Sequence, residues 1–171
     1  MITLITDKIN TFNQISYNKF LDTINLYQLS CSCTLSGCLI KHGYYNRSIK
    51  TPEGFITLSI LRMKCKRCGK THAIFPKFIV PYSQILLNDH ISIIRAYISN
   101  DSFESIMTTN EYIDESNIRY VISMYLRYWK EALAAFGFSI ADDIVSIIRH
   151  CLSTFKRQFM QIKCIPNIIF T

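Results

Sequence analysis

Five of the seven cysteines fall in two groups, Cys31, Cys33 and Cys38, then Cys65 and Cys68. No other feature limits the possible folds as strongly, because thiols paired locally but distant in sequence suit one metal ion that staples two turns together. Cys65 and Cys68 have the C-x2-C spacing, and Gly69 follows at once, so a tight turn can aim both thiolates the same way. Upstream, three thiols compete for two places. Cys33 and Cys38 lie at ordinary ligand spacing, whereas Cys31 and Cys33 leave one residue between them and imply a cramped turn. Spacing therefore predicts Zn2+ on Cys33, Cys38, Cys65 and Cys68, with Cys31 as the substitute. A thioredoxin-like redox pair would sit at a strand-to-helix junction, but extended runs flank Cys65 and Cys68 on both sides.

The two groups are joined by a predicted hairpin. Leu39 to Lys50 and Phe55 to Lys64 read as strands, with Thr51-Pro52-Glu53-Gly54 as the reversal between them. Charge is concentrated on the same stretch. From Leu39 to Tyr82 there are nine basic residues and one acidic, whereas the rest of the chain has ten basic and eleven acidic. Four thiolates on zinc offset two positive charges, and the remaining excess points to a polyanion. Lys41, Arg47, Arg62, Lys64, Lys66, Arg67 and Lys70 are the candidate phosphate contacts. A solvated basic face would look the same in sequence.

His42-Gly43-Tyr44-Tyr45 with Arg47, Leu61-Arg62-Met63-Lys64-Cys65, Cys68-Gly69-Lys70-Thr71-His72-Ala73 and Ile79-Val80-Pro81-Tyr82 together resemble an uncharacterised bacterial zinc-ribbon family related to the N-terminal regions of insertion-sequence transposases. Weaker similarity continues through Ser83-Gln84-Ile85 and Asp114 to Arg119. The resemblance implies a DNA-associated protein of mobile-element origin. It does not imply catalysis, since such transposases carry their chemistry in a separate domain. His42 reads as structural or as a phosphate contact. His72 reads as an alternative ligand or a hydrogen-bond partner of the cysteine turn.

Around the ribbon the pattern is helical. A helix from about Tyr17 to Leu29, capped by Ser16, is expected to pack on the ribbon, and the opening residues can form a short strand. After Tyr82 the apolar period changes from two to about 3.6. Helices are expected over Gln84–Ser99, Phe103–Thr108, from Asp114 or Ser116 to Phe136, and from Ile140 to Ile162 after a Ser139 cap. Helix, short helix, turn and helix is the outline of a helix-turn-helix that would present Asn117, Arg119 and Tyr120 to a major groove. Small helical bundles share that outline. The fold class is thus α+β, a small β zinc ribbon joined to an α-helical domain, with divisions at 1–30, 31–82 and 83–171.

At 171 residues and 49% hydrophobic content, the chain can bury a core. Its apolar runs are interrupted well before the roughly 18 to 20 residues that cross a bilayer, and no secretory signal pattern opens it. With reduced thiols and a metal site, a cytoplasmic location is expected, with no membrane or small-molecule partner. The acidic residues after Tyr82 lie on predicted helices or caps rather than on the scaffold of a carboxylate-dependent transposase, and no phosphate loop or hydrolase motif occurs. The expected role is therefore non-enzymatic: DNA binding or, alternatively, an adaptor that binds a transposase or a second copy of itself through the ribbon and the apolar C-terminal tail.

Overall fold

The computed structural model describes residues 1–5, 13–31, 33, 37–155 and 158–162. Residues 156 and 157 of the last expected helix, and the apolar C-terminal tail, lie outside the described residues. The fold is mixed α+β. Strands β1 (Ile2–Leu4), β2 (Leu39–Thr51), β3 (Gly54–Cys65) and β4 (Thr71–Pro76) form one sheet in the order β1-β4-β3-β2. The predicted reversal occurs at Pro52-Glu53, where Gly54 takes a left-handed φ of 115° and Thr51 Oγ1 donates to the Gly54 carbonyl at 2.9 Å. β3 runs antiparallel to β4, from Arg62 opposite Ala73 to Lys64 opposite Thr71. β1 runs parallel to β4, from Ile2 opposite Ile74 to Leu4 opposite Pro76.

Helix α1 (Gln14–Asp22) supplies polar groups to the β3 and β4 backbones. The Tyr17 hydroxyl donates to the Ile74 carbonyl at 3.0 Å and accepts the Leu61 N–H at 3.0 Å. Gln14 Oε1 accepts the Ser59 N–H at 2.7 Å. The helix starts earlier than the sequence suggested because Asn13, not Ser16, is the cap: Asn13 Oδ1 accepts the Ser16 N–H at 2.9 Å. It also ends earlier, and a separate 3-10 turn over Leu26–Gln28 begins where Asn25 accepts the Tyr27 N–H at 3.2 Å. Two competing asparagine caps thus split what periodicity reads as one helix.

Further on lie α2 (Leu87–Ile98), α3 (Phe103–Thr109), α4 (Glu115–Met124), α5 (Lys130–Ala134) and α6 (Ile144–Phe155). A π-turn over Tyr125–Trp129 joins α4 to α5. Gly137, at φ 73°, ends this run. The Phe138 N–H reaches back to the Leu133 carbonyl and the Gly137 N–H to that of Ala134, both at 3.0 Å, so the last carbonyls are satisfied. The final helix is shorter than the apolar stripe implied. Asp143, rather than Ser139, caps it by accepting the Ser146 N–H at 2.9 Å. Ile91, Ile94, Ile118, Val121, Trp129 and Ile148 are buried.

The chain divides into two compact units rather than three. Residues 1–49 and 55–79 form the first, and residues 50–54 and 80–171 the second. The N-terminal segment therefore belongs with the sheet, and the tip of the hairpin belongs with the helices. In the second unit the buried Lys50 amine pairs with the Asp114 carboxylate, and the Lys50 N–H donates to the Gln84 carbonyl at 2.8 Å. No helix among the described residues is long and apolar enough to cross a membrane.

Candidate metal centre

The turn after β3 is built to present sulfur. The Gly69 N–H donates to the Cys65 carbonyl at 3.0 Å and the Cys65 N–H to the Lys70 carbonyl at 2.9 Å. Gly69 closes the turn at φ 71°, in the left-handed region that favours glycine. The Lys66 N–H donates to the Cys38 carbonyl at 2.9 Å, which ties this turn to the upstream cysteines.

Four sulfurs converge here. The Sγ atoms of Cys31, Cys33, Cys65 and Cys68 all lie within 4.8 Å of one another. Cys31 and Cys68 sulfurs are 3.6 Å apart, and those of Cys33 and Cys65 are 3.5 Å apart. A tetrahedral ion with metal–sulfur bonds of about 2.3 Å separates its sulfurs by about 3.8 Å. The cluster can therefore close on a metal ion with little movement. All four are free thiols, with no disulfide among them.

One expected ligand is displaced. Cys38 does not join the group; the substitute, Cys31, stands in its place. The Cys38 sulfur instead accepts the Cys31 N–H at 3.3 Å. The objection to a C-x-C pair assumed a tight turn. Both Cys31 and Cys33 nevertheless bring their sulfurs into the group, so the short spacing suffices.

The local field favours thiolate at two corners. The Cys65 thiol is held down to about 6, chiefly by the Cys68 N–H and also by that of Arg67, against its burial. The Cys33 N–H does the same for Cys31, while hydrogen bonding to Cys68 and burial push Cys33 up. Without metal Cys33 holds its proton more firmly than Cys31 or Cys65 does, and a bound cation would displace it.

His72 is not a member of the cluster but borders it, with Nε2 3.2 Å from the Cys31 sulfur. Burial, then the nearby N-terminal and Lys70 charges, lower its pKa. His42 is exposed on β2. Cys151 is buried in the second unit, where burial raises its thiol to about 12, as suits an inert core residue.

The basic candidates divide into two kinds. Lys41, Lys64, Lys66, Arg67 and Lys70 are exposed, four of them on the Cys65–Cys68 turn or beside it. Arg62 is half-buried and donates to Thr71 Oγ1 at 3.4 Å, and Arg47 lies 5.2 Å above the Phe75 ring. In the second unit Asn117 donates to Asp114 at 3.3 Å. Arg119 pairs with Glu115 at 2.6 Å and lies 4.2 Å above the Phe103 ring. Arg119 also lines a cavity of about 670 Å³ with Tyr97, Phe103, Ile106, Ile122 and Leu126. Periodicity offers no signal for such local engagement, since it places a residue on a helix face without naming its partners.

A family model described as a domain of unknown function (DUF6431) matches residues 29–119. No curated protein and no solved structure matches the chain.

Proposed function

The chain belongs to the DUF6431 family, whose matched region spans the cysteine cluster and the start of α4, and from that premise we propose that it is a zinc-dependent DNA-binding protein. The observation that carries this reading is the exposed cation group Lys64, Lys66, Arg67 and Lys70, folded around a four-sulfur site. Four thiolates and no open position suit a structural Zn2+ that fixes the turn, leaving its basic side chains free to meet phosphates. The first unit is then a zinc ribbon, in keeping with the likeness to transposase-associated ribbons. The α3–α4 pair is a helix-turn-helix that orients the protein on the duplex, with Tyr120, exposed on α4, nearest the groove. The protein acts as a non-catalytic binding module in the cytoplasm.

The test has two arms. Elemental analysis of the chelator-free protein should find about one zinc per chain, and Cys65→Ser should abolish it while Cys151→Ser leaves it unchanged. Binding to a mixed-sequence duplex should weaken steeply with salt, each phosphate contact adding about 0.9 to the logarithmic slope. Replacing Lys64, Lys66, Arg67 and Lys70 together with alanine should flatten that slope by about 3 to 4. Absence of binding at about 50 mM salt and micromolar protein defeats the DNA reading. The second reading, an adaptor for a transposase or a second copy, draws on the apolar floor of the cavity beside Arg119; salt-insensitive association would favour it.

A further inference from the structure

His72 lies between two groups that fix which ring nitrogen carries the hydrogen. The pairing of Ile2 with Ile74 brings Met1 alongside, so that its amino group is 3.5 Å from Nδ1. An amine donor at Nδ1 makes that nitrogen the acceptor, and the ring hydrogen then belongs on Nε2, aimed at the Cys31 sulfur 3.2 Å away. The ring is only 9% exposed, and the pairing of Met63 with His72 fixes the strand that carries it. Two thiols stand at this corner of the cluster. Cys38 keeps the better ligand spacing to Cys33, yet its sulfur is occupied by the Cys31 N–H at 3.3 Å. Of the two, only Cys31 faces the imidazole.

We infer that His72 is the positioning residue of the metal centre: by donating its Nε2–H to the Cys31 thiolate, it makes Cys31, not Cys38, the fourth ligand. This role rests on the reading of the cluster as a zinc site. Donation from Nε2 orients the sulfur lone pairs and lowers the negative charge the thiolate must carry without adding a bond to the metal. Losing that donor frees Cys31 to swing away, and Cys38 becomes the competing thiol for the vacated corner.

The experiment measures zinc affinity of the full chain by competition with a chromogenic chelator, and thiolate number from the charge-transfer bands of the cobalt-substituted protein. Cys31→Ser should lower affinity by more than about tenfold, while Cys38→Ser should stay within about threefold of wild type. His72→Leu should lower it by about 10- to 100-fold, and His72→Gln, which keeps an N–H donor, should recover most of the loss. In the His72→Leu background Cys38 becomes a ligand, so adding Cys38→Ser should remove a four-thiolate spectrum that the single variant retains. Equal losses for Cys31→Ser and Cys38→Ser, or an unchanged His72→Leu protein, overturn the assignment while leaving the zinc site standing. A wild-type chain that takes up neither metal overturns both. The Cys31–Cys38 comparison decides the matter even if the leucine variant does not fold.

Discussion

His90 shows how burial alone sets a titration. Its ring is almost wholly enclosed, 6.4 Å from the Trp129 ring, and Nδ1 is 2.8 Å from the Leu86 carbonyl. Burial holds the imidazole down to about 4, and the Leu86 bond only partly opposes this. Between the unfolded value of about 6.5 and the folded one, the unfolded chain binds a proton that the folded chain refuses, so stability falls as pH drops through that window. Lowering the pH from about 7 to about 5 should cost about 2 kcal/mol through this residue. Urea unfolding followed by the fluorescence of Trp129, the sole tryptophan, should show that loss. His90→Phe should flatten the difference attributable to this site, since the Leu86 carbonyl still accepts the His90 backbone N–H at 3.2 Å. At this scale the sequence conveyed the thiol cluster but not its fourth corner. Spacing ranks Cys38 above Cys31, and the order reverses through contacts that spacing does not record, the Cys31 N–H on the Cys38 sulfur and His72 beside the Cys31 sulfur.

Elements were legible where apolar periodicity ran uninterrupted and less so where polar caps competed. The hairpin and α3 follow their patterns closely, whereas α2 begins at Leu87, three residues after its expected start, and α1 and α6 begin after Asn13 and Asp143 because those side chains reach the first free N–H groups. Nothing in a one-dimensional pattern announces that a helix will satisfy the backbone of a strand, as Tyr17 does. Tyr17→Phe leaves the buried Leu61 N–H and Ile74 carbonyl without that partner, and should destabilise the first unit by about 1 to 3 kcal/mol. Chemical denaturation read by far-ultraviolet dichroism would measure it. In the cysteine turn a Cβ at Gly69 meets nothing within 4 Å, so Gly69→Ala is opposed only by the left-handed backbone. A cost of about 1 kcal/mol is expected for alanine and less for asparagine, which tolerates that region. Thermal unfolding of the zinc-loaded variants should rank them glycine, asparagine, alanine.

For the whole molecule, the change of period after Tyr82 lies close to Val80, where the second compact unit resumes. The assignment of residues 50–54 to the helical unit was not visible, because a turn motif records how the chain reverses and not which residues will receive its tip. The charge asymmetry was legible in full, and the salt dependence proposed above follows from it. The path of the backbone between the units has a practical corollary for dissection. The chain crosses from one to the other at 49–50, 54–55 and 79–80, so no single cut releases both intact. A fragment beginning at residue 80 would leave behind the lysine that neutralises Asp114 and the N–H that caps the Gln84 carbonyl. Such a fragment should express as a less stable protein than a circularly rearranged one that carries residues 50–54 on a short linker, and comparing their melting temperatures would show what five residues contribute to ninety-two.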